Sequence, residues 1–320
     1  MSQRIDLNKT CELLKNSGSL VILTHKNPDG DTLGTAYALW HNLGKIGIRS
    51  RVVCSADYPK RYSIIKDYYE ANSPCDFEPD AVVAVDCAGI RLFPEEAEPY
   101  KDRVLLAIDH HSTHQDYAEY TYVDARKESC AGIMAQVIDC LGVEWDTYTA
   151  KCLYTGVSTD TGCFRYTNTT SESLELAARL YRYDIEAAKL NYLYFEEKSL
   201  AHIELERMAL SDMGLYLDGQ IALMVLTRGM LEFCGANMND IEGITPIPRQ
   251  IEGVKVGITL RELENGNWKG SLRTMGEPDA AAICKKLGGG GHPGAAGFEC
   301  SGDLEDIKKV VLAETAAALS

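Results

Sequence analysis

The apolar residues in the first third of the chain form short continuous runs separated by polar loops. Residues 20–24, 51–55, 81–85 and 104–108 are such runs, and residues 32–44 carry apolar side chains at helical spacing. Strands that are apolar throughout are typical of a parallel sheet that helices cover on both faces. The pattern therefore predicts an α/β domain built on a parallel sheet.

The pattern becomes mostly helical over residues 129–209, where no strand is evident. The clearest helical segments in this stretch are residues 146–158 and 171–183. We expect the boundary between two domains to lie near its end.

The last third of the chain shows the pattern of β-hairpins. Two turn signals, Asp218-Gly219 and Asn265-Gly266, are each flanked by strand-like runs. A helical pattern follows at residues 278–287. This order of elements predicts a second, smaller α+β domain.

The length of the chain supports this division. It has 320 residues, more than the roughly 250–300 residues that a single hydrophobic core usually serves. We expect a cleft between the two domains. The predicted segments are a first domain over residues 1–190, a helical linker over 191–212 and a second domain over 213–320.

The charge restricts the class of ligand. Lys and Arg number 32 against 47 Asp and Glu, which gives a formal net charge of −15. Binding to long duplex nucleic acid depends on a basic surface that displaces condensed cations, so this class of partner is not expected. A few arginines or bound cations could still hold one or two phosphates, so short anionic substrates remain open.

The composition also bears on the cellular compartment. No run of about 18 apolar residues occurs, and the first residues are too polar for the core of a secretory signal. The eleven cysteines include no C-x-x-C pair, and several lie within apolar runs. These features predict a cytoplasmic protein with reduced thiols and no contact with a membrane.

Carboxylates and imidazoles follow the predicted strands of the first domain. The carboxyl ends of parallel strands meet at one edge of a sheet, so we expect these side chains to gather there. Clustered carboxylates repel one another and usually require a cation. The residues concerned are His25, Asp29, Asp31, Asp86, Asp109, His110, His111 and Asp160.

This set of side chains predicts the kind of metal. It is rich in carboxylates, contains histidines and lacks thiolates, which favours a hard octahedral ion such as Mn²⁺ or Mg²⁺ over a structural Zn²⁺. More ligands are available than one ion needs, so we expect a pair of ions that share a bridging carboxylate.

Three other kinds of site are excluded at the first loop. An EF-hand requires Glu at the twelfth position of its loop, but counting from Asp29 that position is Trp40. Neither the dinucleotide fingerprint G-x-G-x-x-G nor the P-loop G-x-x-x-x-G-K-[ST] follows the first strand.

These motifs resemble those of a known superfamily. H-x-N-P-D-G-D-x-x-G at residues 25–34, Asp86, the D-H-H at residues 109–111 and T-D-T-G at residues 159–162 occur in the order of the four motifs of the DHH phosphoesterases. S-L-R-T and the G-G-G-G-H-P-G-A-A-G at residues 288–297 are similar to the DHHA1 substrate-binding domain. The resemblance implies an α/β, parallel-sheet DHH domain joined by a helical linker to a smaller α+β DHHA1 domain.

Length and domain pairing are most similar to the nano-RNase (oligoribonuclease) and pAp phosphatase group. Its members hydrolyse very short oligonucleotides, and many remove the 3′-phosphate of 3′-phosphoadenosine 5′-phosphate (pAp). Family II pyrophosphatases carry a different C-terminal domain, and RecJ exonucleases are longer. Two alternative functions remain open: a phosphodiesterase for c-di-AMP or its linear product, and a non-catalytic nucleotide-binding regulator. The oligomeric state is also open, and a homodimer is possible.

The resemblance also implies roles for individual residues. His111 would lie beside the metals as a catalytic residue that donates a hydrogen bond to a phosphate oxygen. Water activated by two Mn²⁺ ions would attack phosphorus. Mg²⁺ and Co²⁺ are alternative metals. The implied ligands are His25 and Asp29 for one ion, Asp31, His110 and Asp160 for the other, and Asp86 as the bridge.

The second domain supplies candidates for binding the substrate. Arg273 and His292 would grip a phosphate or a base, and Gly289, Gly290 and Gly291 would let backbone N–H groups approach an anion. The alternative for the glycines is a flexible hinge loop.

Several other polar residues receive less specific predictions. Asp109 would either orient His110 or cap a turn, and both roles stay open. His41 and His114 are expected at the surface. The remaining acidic residues near strand ends are expected to be solvated and are Asp57, Asp80 and Asp124.

Overall fold

The computed structural model describes residues 2–55, 60–65, 75–241 and 243–319. Contacts within the chain divide it into two units, Met1–Glu197 and Lys198–Ser320. This division lies inside the segment expected to link the domains.

The first unit is built on a six-stranded parallel sheet with the strand order β1-β6-β5-β4-β2-β3. The predicted α/β fold with a parallel sheet is thereby confirmed. The two shortest strands, β1 and β6, were not predicted. The elements are β1 (Gln3–Arg4), α1 (Leu7–Asn16), β2 (Ser19–Leu23), α2 (Gly30–Lys45), β3 (Arg49–Val53), β4 (Ala81–Val85), β5 (Val104–Asp109), β6 (Tyr120–Val123), α3 (Cys130–Leu141), α4 (Thr147–Asp160), α5 (Ser171–Leu180) and α6 (Ala187–Asn191).

The strand order brings the predicted site residues together. β5, β4 and β2 are neighbours in the sheet and run parallel. Their carboxyl ends therefore lie side by side, and each leads into a loop that carries part of the predicted cluster. β3 lies on one side of β2 and β4 on the other, so the direction in which the chain adds strands reverses between β2 and β4.

Helices α2 and α4 pack closely against each other beside this edge. A Cβ atom at Gly34 of α2 would overlap the carbonyl oxygen of Cys152 in α4. A Cβ atom at Gly156 of α4 would lie 2.7 Å from Asp31 Oδ1. Because both positions are glycine, the end of α4 that carries Asp160 can approach the start of α2.

The second unit contains another six-stranded sheet, in the order β11-β12-β10-β9-β8-β7. Both predicted hairpins are present, as β7–β8 and β9–β10, whereas β8 and β9 pair in parallel. The elements are α7 (Leu200–Ser211), β7 (Gly214–Tyr216), β8 (Ile221–Leu226), α8 (Arg228–Cys234), α9 (Met238–Ile241), β9 (Val256–Glu262), β10 (Trp268–Thr274), α10 (Ala280–Lys286), β11 (Gly290–His292), β12 (Ala295–Cys300) and α11 (Leu304–Leu319).

Three features of the second unit differ from the sequence prediction. The hairpin β11–β12 and the C-terminal helix α11 were not predicted. Most of the segment expected as a linker forms α7, whose Leu205 and Ala209 are buried against β8 in a core of this unit. Helix α7, expected within the linker, therefore packs into the second unit and covers part of one face of its sheet.

Two observations relate to the expected compartment. All eleven cysteines lie in the described part of the chain, and each is a free thiol. Among the described residues, no helix combines the length and the apolar character that a transmembrane span requires.

The close packing of α2 and α4 leads to a prediction about stability. Gly34→Ala should lower the free energy of unfolding by about 1–3 kcal/mol, because the added methyl group forces the two helices apart. Gly44→Ala is the matched control in the same helix, since a Cβ atom there would have no neighbouring atom within 4 Å. That change should be neutral or stabilise by up to about 1 kcal/mol. Urea unfolding of the two variants measures the difference, and equal effects would contradict the packing argument.

Candidate metal centre

The loop after β2 is shaped by the N-terminus of α2. Asp29 is the N-cap of this helix, and its Oδ1 accepts the backbone N–H groups of Asp31 at 3.1 Å and Thr32 at 3.0 Å. His25 Nε2 lies 3.6 Å from the same oxygen. The cap thus fixes Asp29 beside His25 and places Asp31 in the first turn of the helix.

Asp31 is held by a second helix. Its Oδ2 accepts the N–H of Cys130 at 2.7 Å, and its Oδ1 accepts the N–H of Ala131 at 2.8 Å. Both donors belong to the first turn of α3, where backbone N–H groups are unpaired and favour a negative charge. The buried carboxylate is therefore fixed in orientation by the backbone.

Asp86 lies at the centre of the cluster. It directly follows β4, adopts a positive φ of 53° and is 3% exposed. Its Oδ2 is 3.7 Å from His25 Nε2, and its Oδ1 is 3.6 Å from His110 Nε2. Oδ1 is buried and makes no hydrogen bond within the described residues. A buried carboxylate oxygen without a donor indicates a place for a ligand such as a cation.

His110 faces a second group of carboxylates. Its Nε2 lies 3.7 Å from Asp31 Oδ2 and 3.8 Å from Asp160 Oδ2. Its Nδ1 lies 3.3 Å from the carbonyl oxygen of Lys127, which can only accept a hydrogen bond. The proton therefore belongs on Nδ1, and Nε2 presents a lone pair to the carboxylates as a metal ligand does.

These contacts form three overlapping groups that could each hold an ion. Within each group, one nitrogen or oxygen atom per residue lies within 4.8 Å of the others. The residues fit a pair of divalent cations, because two groups meet at Asp86 and all donors are oxygen or imidazole nitrogen. The groups are His25, Asp29 and Asp86; Asp31, His110 and Asp160; and Asp86, His110 and His111.

The cluster is electrostatically unfavourable without cations. Burial, followed by the neighbouring carboxylates, raises the pKa of Asp86 well above its ordinary value. The same causes, burial first and then Asp31 and Asp29, raise the pKa of Asp160 to about 8. A bound cation removes this repulsion and favours the ionised carboxylates.

Asp109 has a different environment, although it is as deeply buried. Burial opposes its ionisation, but hydrogen bonds from His111 and His114 hold the pKa of Asp109 well below its ordinary value. Its Oδ1 accepts the N–H of His110 at 2.8 Å and lies 2.7 Å from His111 Nδ1. Asp109 thus caps the turn and orients His111, whereas the ring of His110 is oriented by a backbone carbonyl.

The prediction that His114 is a surface residue is wrong. Its side chain is 1% exposed, and its Nδ1 lies 2.6 Å from Asp109 Oδ2. No periodic pattern along the chain indicates this contact, because it depends on the path of the loop after β5. His41 is partly exposed and bonds Asp146, the N-cap of α4, at 2.7 Å.

Two further residues at the site were not predicted. Asn168 donates to the carbonyl oxygens of Asp160 at 3.1 Å and Glu128 at 2.9 Å, which ties the loop after α4 to the start of α3. Glu128 is 3% exposed, and burial raises its pKa. Of the acidic residues expected to be solvated, Asp80 and Asp124 are bonded to Ser19 and Arg126, and Asp57 lies outside the described residues.

The second unit carries Arg273 and His292 in one row across a face of its sheet. His292, Ala295, Arg273 and Gly257 are cross-strand partners on β11, β12, β10 and β9. Partners in an antiparallel pair project to the same face, so His292 and Arg273 share a face with the small Ala295 between them. The backbone of Arg249 lies against Gly257 on this face.

Gly289 and Gly291 of the glycine run have close packing contacts. The N–H of Gly289 donates to the carbonyl oxygen of Cys284 at 2.8 Å, so it is not presented to an anion. A Cβ atom at Gly289 would meet Gly297 and Phe298, and Gly291, at a φ of 147°, lies against Ala296. These glycines allow the end of α10 and the strand β11 to approach β12 closely.

Two family models match the chain. The model of the DHH family, N-terminal domain, matches residues 19–157, and the model of the DHHA1 domain matches residues 225–317. Bifunctional oligoribonuclease and PAP phosphatase NrnA of Thermus thermophilus is 34% identical over 307 residues, which covers 94% of this chain and 90% of that protein. The probable NrnA of Streptococcus mutans is 25% identical, with 89% and 90% covered.

Solved structures show the same fold. The chain is similar to an exopolyphosphatase-related protein from Bacteroides fragilis, with a TM-score of 0.86 and 24% identity over 96% of this chain and 94% of that one. RecJ in complex with Mn²⁺ from Thermus thermophilus has a TM-score of 0.57 and 16% identity, covering 98% of this chain and 55% of that chain. The fold is therefore shared with known structures.

The raised pKa of Asp160 predicts how a cation stabilises the fold at different pH values. An aspartate in an unfolded chain has a pKa of about 3.9. In the metal-free fold, the pKa of Asp160 is raised to about 8. The contribution of the protonated Asp160 to the free energy of unfolding is fully present below about pH 4, and it is lost as the pH rises towards 8. Mn²⁺, which binds the ionised form, should therefore raise the Tm more at about pH 8 than at about pH 5.

The control for this experiment is an aspartate outside the cluster. Asp160→Asn should reduce the difference in Tm shift between the two pH values. Asp124→Asn, which removes the ion-pair partner of the exposed Arg126, should leave this difference unchanged. Scanning calorimetry with and without Mn²⁺ gives the shift at each pH. Equal shifts at both pH values in the wild type would contradict a cation site at Asp160.

Proposed function

The chain belongs to the DHH family of proteins with a DHHA1 domain, and from this premise we propose that it is a phosphoesterase for very short nucleotides. Its substrates are oligonucleotides of a few residues and pAp, from which it removes the 3′-phosphate. The names of its NrnA relatives indicate these two activities for those proteins. The observation that carries the proposal is Asp86, a buried carboxylate that two candidate metal groups share.

Two Mn²⁺ ions suit this cluster, with Mg²⁺ or Co²⁺ as alternatives. His25 and Asp29 would hold one ion, Asp31, His110 and Asp160 would hold the other, and Asp86 would be the carboxylate that both share. When bound, such a pair supplies Lewis-acid activation of water and neutralises charge that develops on the phosphoryl oxygens. Asp29 and Asp31 would need little rearrangement when cations bind, because backbone N–H groups at the N-termini of α2 and α3 already fix them.

His111 is the catalytic residue of this proposal. Its Nδ1 lies 2.7 Å from the carboxylate of Asp109, which leaves Nε2 as the atom that can face a substrate. Its side chain is 39% exposed, whereas that of His110 is 14% exposed. The hydrogen bond to Asp109 raises the pKa of His111 and so favours a ring that donates through Nε2 to a phosphate oxygen.

The row on the second unit suits the anionic end of a nucleotide. Arg273 is partly buried, and burial, together with the nearby Arg249, lowers its pKa. Among the described residues, its guanidinium donates to the carbonyl oxygen of Leu272 and forms no ion pair with a carboxylate. A partly buried guanidinium gains most from an anion, so Arg273 and Arg249 are suited to bind phosphate. His292 lies two strand spacings, about 10 Å, from Arg273 and is suited to bind a second group of the substrate.

The eleven free cysteines support a site of action in the reducing cytoplasm. The net charge of −15 supports short substrates over long nucleic acid.

Removal of the shared carboxylate tests the catalytic proposal. Asp86→Ala should lower Mn²⁺-dependent hydrolysis of pAp, of a dinucleotide and of bis-p-nitrophenyl phosphate by several orders of magnitude, because both ions lose a ligand. Asp80→Ala is the matched control at the other end of the same strand and should retain wild-type rates. If Asp86→Ala is folded and fully active, the metal assignment is wrong; if the wild type hydrolyses none of the three, the chain is a binding protein.

A substitution in the second unit tests the preference for short substrates. Arg273→Ala should reduce kcat/KM on a dinucleotide, because a charge-assisted contact is lost. The reduction should correspond to about 1.5–3 kcal/mol less stabilisation of the transition state. Bis-p-nitrophenyl phosphate has no nucleotide end, so its hydrolysis should hardly change. Lys269→Ala removes a cation four residues away on the same strand and face, and it should leave both rates unchanged.

The same panel distinguishes the substrate classes. The wild type should prefer the dinucleotide and pAp to a 24-mer and to c-di-AMP. Equal loss on all substrates in Arg273→Ala, or a wild-type preference for the 24-mer, would contradict substrate selection by the second unit. Fastest turnover of c-di-AMP would identify a cyclic-dinucleotide phosphodiesterase instead.

A further inference from the structure

His114 lies outside the motifs that supply the cluster, yet it is built into the site. It follows β5 by five residues, and its side chain is 1% exposed. Its Nδ1 lies 2.6 Å from Asp109 Oδ2, the shortest contact of that carboxylate. No metal group among the described residues includes it, so its contribution must pass through Asp109.

The two oxygens of Asp109 are held from different directions. Oδ1 accepts the N–H groups of His110 and His111, at 2.8 and 3.3 Å, and the Nδ1–H of His111. Oδ2 is bonded by His114. A carboxylate gripped at one oxygen can still rotate about its Cβ–Cγ bond. The contact from His114 removes this freedom and keeps Oδ1 directed at the ring of His111.

His114 is itself fixed in place. Its ring lies 5.2 Å from the ring of Tyr117, whose hydroxyl donates to the carbonyl oxygen of Cys87 at 2.8 Å. Cys87 directly follows the shared carboxylate Asp86, so the loops after β4 and β5 are joined at this point. The orientation of His114 is therefore set by the same backbone that carries Asp86.

Packing alone does not explain a histidine at this position. Its Nε2 is buried and has no hydrogen-bond partner among the described residues. Leaving a polar atom buried and unpaired is unfavourable, and an apolar side chain of similar size would avoid it. The Nδ1–H donor to Asp109 is the feature that an apolar residue cannot supply.

We propose that His114 is a positioning residue: it locks the carboxylate of Asp109, which in turn holds the imidazole of His111 with Nε2 towards the substrate phosphate. The substrate in this statement rests on the proposed phosphoesterase function, whereas the hydrogen-bonded chain His114–Asp109–His111 does not.

Two nearly isosteric variants separate the donor from the packing. His114→Asn places an amide N–H near the position of Nδ1, whereas His114→Leu has a similar shape without a donor. His114→Leu should lower kcat about 10- to 100-fold on bis-p-nitrophenyl phosphate, with KM and metal content unchanged. His114→Asn should recover most of the rate. His41→Leu removes a histidine that bonds Asp146 at a similar distance outside the cluster, and its kcat should equal that of the wild type.

A double-mutant cycle tests whether His114 acts through His111. In the His111→Ala background, His114→Leu should cause little further loss, because the ring that it positions is gone. A residue that only stabilises the fold would lower the rate by the same factor in both backgrounds. Multiplicative losses, or equal rates for the Asn and Leu variants, would overturn the inference.

A readout without turnover keeps this test separate from that of the proposed function. In metal-free protein labelled with ¹⁵N at its seven histidines, the Nδ1–H proton of His111 should be protected from exchange with water. The signal should persist in His114→Asn and disappear in His114→Leu. An unchanged signal in His114→Leu rejects the positioning role whatever the activity. Loss of the signal in His114→Leu, together with a wild type that hydrolyses no substrate, would support the role and reject the phosphoesterase proposal.

Discussion

The repulsion among the carboxylates that cluster at the ends of β2, β4, β5 and α4 is the constraint on which the first unit depends. Each carboxylate needs either a hydrogen-bond donor or a cation in order to stay ionised. The protein supplies donors unevenly. Asp29 receives two backbone amides, Asp31 receives two from α3, and Asp109 receives two amides and two imidazoles. Within the described residues, Asp86 Oδ1 is buried and has no hydrogen-bond donor, so a cation there would supply the compensation that the protein does not.

The backbone prepares this arrangement before any cation binds. The order of β5, β4 and β2 aligns three strand ends, and the glycine contacts between α2 and α4 bring a fourth carboxylate within reach. A helix cap holds Asp29 and the N-terminus of α3 holds Asp31, so these two carboxylates have little conformational freedom left to lose on binding. The residues that tie the loops together, Asn168 and Tyr117, matter for the same reason, although neither belongs to a candidate metal group.

The sequence predicted the parts of the fold that depend on local pattern. Continuous apolar runs indicated the parallel sheet, and turn dipeptides indicated two hairpins. The strands β1, β6 and β11 are two to four residues long, too short for a period to be visible. The role of the glycine run depends on its close contacts with β12, and the burial of His114 depends on a loop. Contacts of this kind are set by tertiary packing, which the order of residues along the chain does not display.

The adjacent histidines of the D-H-H motif show how identical residues take different roles. His110 bonds a neutral backbone carbonyl through Nδ1, and its Nε2 lone pair faces carboxylates that suit a shared cation. His111 bonds a charged carboxylate through Nδ1, which raises its pKa and favours a second proton on Nε2. The imidazole of His110 is thereby suited to bind a metal, and that of His111 is suited to donate a hydrogen bond to an anion. The partner at Nδ1 decides between these roles, and in this chain the partner of His111 is itself held by His114.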